Sequence, residues 1–252
     1  MRINAFIPAR GGSTGVPRKN IRMLDGIPLI SHSIEFARSL TTISKIIVST
    51  DSSQIATIAS QNVLSEIDFE KLREDSLIGI DERLILHKRP SIQAQTLSPI
   101  RDVLFDLCQA REDLDEFDYL CMLQPTSPFR TTSEMSEITR LMKTNYEWTS
   151  IASFTEVSGM HPDRMYRREN QVYVTPYINQ RNLDNKPRQL LDPLIIKDGA
   201  YYVFKTEKLK ERVMLGDKIL PFLRKGLRTL NIDTETDFEV AELIANYSSW
   251  RK

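Results

Sequence analysis

Four cations and three glycines fall in one short stretch near the start of the chain. From Phe6 to Leu24 the sequence carries Arg10, Arg18, Lys19 and Arg22, with Gly11, Gly12 and Gly15 among them, and no acid. Glycines let backbone N–H groups approach an anion closely, and flanking cations neutralise its charge. That chemistry suits a triphosphate. The spacing matches neither GxxxxGK[ST] nor the GxGxxG of a dinucleotide fold. On residues alone, a solvated basic turn between strand and helix stands beside the nucleotide reading. A second stretch, Leu123–Arg130 (LQPTSPFR), holds two prolines that stiffen a loop. There Gln124, Thr126, Ser127 and Arg130 offer uncharged and cationic donors to a polyhydroxy acid or a phosphate. A third, Leu230–Asp233, ends in a carboxylate. Beside a triphosphate that carboxylate is a natural Mg²⁺ ligand; alone it is equally helix-start chemistry.

These residues need elements to hold them. Ile3–Pro8 is an apolar run with strand character. Residues 28–40 carry helical periodicity, 45–49 (KIIVS) predict a second strand, and 52–60 a second helix. Strand and helix in alternation open a parallel α/β sheet, whose ligands bind beyond the carboxyl ends of its strands. Residues 62–88 read as an inserted helix or ordered loop with a strand near Leu84–Leu86. Residues 99–109 form an amphipathic helix. The acids Glu112, Asp113, Asp115, Glu116 and Asp118 read as a solvated turn. Strands are predicted at 119–123, 148–154, 201–204 and 230–233. A helix starts near Thr132, and a last one is capped by Thr234 and Asp237. Residues 155–197 do not look like another βα unit.

PAR-x-GS-x-G-x-P-x-KN (residues 8–20), LQPTSPFR and IDTETD (residues 232–237) together resemble the acylneuraminate cytidylyltransferase (CMP-N-acetylneuraminate synthetase) family. Shorter matches lie between them: Arg89-Pro90, His161-Pro162, Pro187-Arg188-Gln189, and Asp198-Gly199-Ala200. The resemblance implies a Rossmann-like, mostly parallel α/β sheet flanked by helices, of the nucleotide-diphospho-sugar transferase type. It divides the chain into a nucleotidyltransferase domain (1–154 and 198–252) and an inserted arm (155–197) for dimerisation and the sugar site. It implies transfer of CMP from CTP to an acidic nine-carbon sugar, with Mg²⁺ as cofactor, by a homodimer. A Kdo-type acceptor, another base, or a non-catalytic nucleotide-sugar-binding homologue are the alternatives. Nucleotide contacts would come from Ala9, Arg10, Gly11, Gly12, Ser13, Lys19, Asn20 and Arg89. Sugar contacts would come from Gln124, Thr126, Ser127, Arg188, Asp198 and Gly199. Asp233 and Asn231 would hold the metal, and Arg10, Lys19 and Asp233 would be catalytic. The chain departs from the family at Thr14 (usually Lys), Asp198 (usually Asn), Asn231 (usually Asp) and Gln93–Thr96 (usually an acid–Thr pair).

Composition bounds the rest. The 252 residues suffice for one large α/β domain plus an arm. Lys+Arg and Asp+Glu are both 34, a balance unlike the basic field of a nucleic-acid binder. No apolar run approaches the ~20 residues that span a bilayer. Residues 1–8 lack the pattern of a signal peptide, so a cytoplasmic protein with no membrane partner is expected. Cys108 and Cys121 sit in apolar surroundings and are expected to be buried, reduced thiols. His161 is expected to be a structural histidine.

Overall fold

Short β-branched runs supply the parallel centre of one eight-stranded sheet in a computed structural model of the chain. It describes residues 1–13, 15–109, 117–144, 147–157, 159–169, 172–178 and 187–247. Thr14, Lys186 and the acids Glu112, Asp113, Asp115 and Glu116 lie outside the described residues. In chain order the first half holds β1 (Ile3–Pro8), β2 (Met23–Leu24), β3 (Ile27–Pro28), α1 (Leu29–Ser39), β4 (Ile43–Thr50) and α2 (Ser53–Ala59), then α3 (Glu66–Lys71), β5 (Leu77–Gly79), β6 (Leu84–Lys88) and α4 (Ile100–Cys108). The second half holds β7 (Tyr119–Met122), α5 (Thr132–Met142), β8 (Ser150–Glu156), β9 (Tyr166–Glu169) and β10 (Tyr173–Pro176), then β11 (Ile195–Lys205), α6 (Thr206–Lys210), β12 (Ile219–Leu223) and α7 (Glu235–Asn246).

The sheet order is β12-β8-β11-β7-β1-β4-β6-β5. β7, β1, β4 and β6 run parallel to one another, and β11 runs antiparallel to both β7 and β8. Alternation along β1 divides the core. Ile3, Ala5 and Ile7 pack with residues of α1, α2 and α5, while Phe6 packs with Val103, Leu104 and Leu107 of α4. Both faces of the sheet are therefore covered, as a parallel sheet requires. A third cluster closes α7 over Val16, Leu24, Leu29 and Phe129, so the first loop is packed against the last helix. Among the described residues no helix is long and apolar enough to cross a membrane.

Several elements differ from the sequence expectation. Residues 230–233 form no strand. Ile232 is buried in the third cluster and its N–H meets the Thr126 carbonyl (2.8 Å), which fixes an extended segment without a ladder. The outer strand is instead Ile219–Leu223, parallel to β8. The 62–88 interval contains both a helix, α3, and an edge strand, β5, folded back antiparallel on β6. Asp25 and Gly26, both at positive φ, turn the small β2–β3 hairpin, an Asp-Gly signal left unused in the sequence reading. Between β8 and β11 the ladder continues outward to Ile195 opposite Glu156, and β9 and β10 form a separate ribbon.

Candidate active site

The first crossovers carry the chain from β1 outward through β4 to β6; it then returns to place β7 on the other side of β1. In open α/β sheets that reversal opens a crevice beyond the strand ends. A cleft of about 500 Å³ lies there, within the range of ~300–1,000 Å³ usual for small-molecule sites. Pro8, Arg10, Ser13, Gly15, Lys19 and Asn20 line it from the loop after β1. Arg89, Gln93, Gln95, Thr96, Ser98 and Ile100 enter after β6, Gln124, Pro125 and Thr126 after β7, and Asp233 closes the far side. Three strand ends and the last loop thus converge on one space.

Each cation is held in a definite way. Arg10 Nη1 donates to the Gln95 carbonyl (3.1 Å), tying the first loop to the segment after β6. Asn20 Nδ2 donates to the Arg10 carbonyl (2.9 Å) and fixes that backbone. Lys19 Nζ donates to the Ile232 carbonyl (2.6 Å) and lies 3.4 Å from Asp233 Oδ1. Arg89 donates from Nε to Ser49 Oγ (3.0 Å) and from Nη2 to the Ser49 carbonyl (2.9 Å). Burial draws the Arg89 guanidinium down to about 10, with Asp51 opposing the fall and Arg10 adding to it. At neutral pH it is still a cation, so among the described lining residues three positive groups stand about one carboxylate, Asp233, with Asp51 behind Arg89. Gly15 has a steric reason. A Cβ built there would lie 2.1 Å from the Asp233 carbonyl oxygen, so only glycine lets the two loops meet.

Not every expected contact reaches the cleft. The Ala9 N–H is spent on the Ser49 carbonyl (2.9 Å) and the Gly11 N–H on Asp51 Oδ1 (2.9 Å), so these two amides are satisfied by protein. Gly12 is exposed and lies outside the cleft lining. Ser127 is buried, and its hydroxyl donates to the Asp198 carbonyl (3.0 Å) and approaches Asn231 Oδ1 (3.3 Å). Asp198 and Arg130 correct the sequence reading most plainly. The Asp198 carboxylate is fully buried, paired with Arg224 Nη1 (2.7 Å), and accepts from Ser153 Oγ and the Ala200 N–H. Arg130 donates inward to the Ala200 and Gln124 carbonyls and to Ser33 Oγ. Charges removed from water need partners, and the interior supplies them to these two. The register shift between Lys197 and Tyr202 on β11, with Gly199 at φ +80°, turns Asp198 inward.

Arg224 was invisible to the sequence reading. It bonds Asp198, Glu134 Oε1 (2.9 Å) and the carbonyls of Phe129 and Arg228. Burial works against its charge, but the Glu134 and Asp198 carboxylates outweigh that and hold it above its ordinary value. The Arg130 and Arg224 guanidiniums lie 5.7 and 5.6 Å from the centre of the Tyr201 ring, whose hydroxyl donates to Glu134 Oε2 (2.9 Å). This dry ionic knot supports Gly199, where a Cβ would press on Gln124 Oε1 (2.9 Å). His161 is buried, accepting from the Asp163 N–H and meeting the Asp192 carbonyl, a structural arrangement. Arg188 begins the short 3-10 turn Arg188–Leu190.

For a divalent cation the candidate ligands are oxygens at the cleft rim. Asp233 is two-thirds exposed, and the Asn231 amide donates to its Oδ2. Among the described residues no three acids, histidines or cysteines gather as a metal cage. The Asp233 carboxylate fits a hard cation that takes its remaining oxygens from phosphates and water, whereas Asn231 turns its amide nitrogen to Asp233 and its oxygen toward Ser127, so it joins such a site only with that amide turned over.

A cation-lined cleft at the switch point of a mostly parallel sheet defines an α/β nucleotidyltransferase architecture. Solved structures agree in fold: a CMP:2-keto-3-deoxy-manno-octonic acid synthetase complexed with CTP superposes with TM-score 0.62 at 16% identity, covering 98% of this chain and all of that one. A cytidylyltransferase from Leptospira borgpetersenii gives 0.58 at 12% identity, covering 98% and 87%. The cytidylyltransferase family model matches residues 4–75. Over 246 residues the sequence is 30% identical to a CMP-N,N'-diacetyllegionaminic acid synthase of Legionella pneumophila, covering 96% of this chain and 95% of that one. It is 28% identical to N-acylneuraminate cytidylyltransferase A of Danio rerio and 26% to an N-acylneuraminate cytidylyltransferase of Escherichia coli. It covers 50% and 54% of those longer proteins, which in turn cover 95% and 100% of this chain. The chain belongs to the acylneuraminate cytidylyltransferase family.

Proposed function

We propose that this protein transfers CMP from CTP to an acidic, sialic-acid-like nine-carbon sugar, releasing pyrophosphate. The carrying observation is the surplus of positive charge, Arg10, Lys19 and Arg89, around a cleft at the sheet's switch point. In this reading the three cations, with Ser13 and Asn20, take the triphosphate. Gln124 and Thr126 face the acceptor, with Gly199 beneath them. The sugar hydroxyl oxygen forms a bond to the α-phosphorus in line, the bond to the bridging oxygen breaks, and pyrophosphate carries the electron pair away. Arg10 and Lys19 offset the charge that shifts toward the leaving group; such catalysis is positioning plus electrostatic stabilisation. Asp233, joined by Asn231 once its amide turns over to present the oxygen, would hold Mg²⁺, which when bound supplies further neutralisation of phosphate charge.

The proposed homodimer rests on the arm, residues 155–197. Tyr166, Val172, Tyr173, Val174, Tyr177 and Ile196 are each more than half exposed along it, more apolar surface than a solitary ribbon normally leaves in water. Arg188 on that arm is the proposed partner for the sugar carboxylate. Light scattering checks the dimer: Tyr173→Glu with Val174→Glu is expected to yield monomers, and an unchanged mass overturns the assignment.

The reaction is tested by pyrophosphate release with Mg²⁺, crossing CTP, UTP, ATP and GTP against a panel of 2-keto acid sugars. Release only with CTP and a nonulosonate is the expected result. Release with CTP and the eight-carbon acid Kdo alone reassigns the acceptor. CTP binding without release for every sugar leaves a nucleotide-binding homologue.

A further inference from the structure

The insertion between α2 and β6 reaches the cleft through a chain of side chains. Asp75, at positive φ beside the edge strand β5, has its N–H bonded to the Lys88 carbonyl (2.8 Å). Its Oδ1 meets His87 Nε2 at 2.9 Å, and His87 Nδ1 meets Ser49 Oγ at 2.9 Å. Ser49 Oγ in turn accepts from Arg89 Nε, and its carbonyl accepts from both Arg89 Nη2 and the Ala9 N–H. Ser49 and His87 are buried and stand directly opposite in the β4–β6 ladder, whereas Asp75 is half exposed. A carboxylate only accepts, so its contact puts a ring proton on Nε2, and a bare Nδ1 then accepts the Ser49 hydroxyl proton. That leaves the Ser49 oxygen lone pairs to Arg89. The order of residue types is that of a hydrolase triad, but Ser49 Oγ is enclosed and already accepts from a guanidinium, so it is no nucleophile. Further bonds clasp the same strand end: Lys88 Nζ reaches three carbonyls at the end of α3, and Glu74 accepts from the Ser91 N–H.

We propose that Asp75, His87 and Ser49 form a relay of positioning residues that orients Arg89 toward the triphosphate, and that this is the purpose of the insertion. The inference rests on the reading of Arg89 as a nucleotide contact. It is tested on the full-length protein by calorimetric CTP affinity in the presence of Mg²⁺, together with KM and kcat. Arg89→Ala is expected to weaken CTP by about tenfold or more, the loss of a charge-assisted contact. Asp75→Ala is expected to weaken it by about three- to tenfold, the scale of one misplaced hydrogen bond, with kcat within about twofold. Asp75→Asn keeps an acceptor for Nε2 and is expected to restore affinity. In the Arg89→Ala background Asp75→Ala is expected to add nothing, because residues acting through one group are not additive.

Full sensitivity to Arg89→Ala with none to Asp75→Ala overturns the relay alone. An additive double variant does the same. No effect of Arg89→Ala overturns the reading of Arg89 and the relay with it. Should Asp75→Ala not fold, ¹⁵N spectra of the three histidine rings of the unaltered protein, assigned with His87→Gln, decide the matter. A protonated Nε2 and bare Nδ1 on His87 support the relay; a proton on Nδ1, whether in the opposite tautomer or in the imidazolium, overturns it.

Discussion

The cleft gathers Arg10, Lys19 and Arg89 about one carboxylate, Asp233, whereas the knot beneath Gly199 gathers Arg130 and Arg224 about two, Glu134 and Asp198. In the cleft, positive charge exceeds negative and the groups border an open space. In the knot the charges balance, the side chains are dry, and the donors are spent on carbonyls, hydroxyls and carboxylates. The first arrangement leaves positive charge in excess of the carboxylates beside it. The second is complete and serves to hold β11, α5 and the Gly199 turn in one relation. A charged residue inside a recognisable motif is therefore not by itself a ligand contact; neutralisation by protein decides which it is.

The largest effect that would test this division is on stability. Arg224→Ala strips the guanidinium from two carboxylates, one of them fully buried. Leaving a buried charge without its partner costs about 3–5 kcal/mol, so urea denaturation is expected to show that loss or no folded protein at all. A loss under about 1 kcal/mol would mean the knot behaves like a surface pair. Lys19→Ala should show the opposite profile. Its turnover is expected to fall by about a hundredfold, as when one preorganised electrostatic contact is removed, while stability changes by about 1 kcal/mol. Full turnover would remove Lys19 from the catalytic set. Affinity for CTP should also weaken as salt rises, since ions in the open cleft screen its cations and the nucleotide's phosphates, whereas the knot should respond little.

The same division explains what was legible in the sequence. The first loop was legible because glycine spacing, cations with no acid beside them in the sequence and the end of β1 converge on one chemistry, and Asp233 because its carboxylate suits a metal beside phosphates. Both faces of the sheet followed from alternation and helical period. Gln95 and Thr96 were left aside, although they follow a strand end and so belong to the crevice by topology. Ser127 and Arg130 looked like ligands because their types can bind a sugar or phosphate, and Asp198 because its stretch resembles the family's. What turns Asp198 inward is a register shift on β11 and a partner 26 residues away, Arg224; Ser127 and Arg130 are drawn inward by the Asp198 and Ala200 carbonyls, 71 and 70 residues away, and no local pattern announces such contacts. Residues 230–233 misled because an apolar-alternating run has strand character, while its pairing depends on a neighbour that only the fold supplies.

The smallest effect concerns how dry the knot side is. Cys121 on β7 lies within the field of Arg130, which favours a thiolate, yet burial pushes its thiol up to about 12; Cys108, buried on the other face, is also raised to about 12. The unfolded chain has ordinary thiols, with a value of about 8.5. A folded-state value raised above the unfolded one contributes stability that is fully present below the unfolded value and is lost as pH rises toward the folded one. Between pH 7 and pH 9 each thiol should therefore lose about 1 kcal/mol of its contribution. Other groups titrate there as well, so the measurement is a difference. Urea unfolding of the unaltered protein and of Cys121→Ala is compared at both pH values. The variant, whatever its own starting stability, is expected to lose about 1 kcal/mol less over the interval. Equal losses would show that Cys121 deprotonates in the folded state, which would require water beside Arg130 and would erase the contrast between the dry knot and the open cleft.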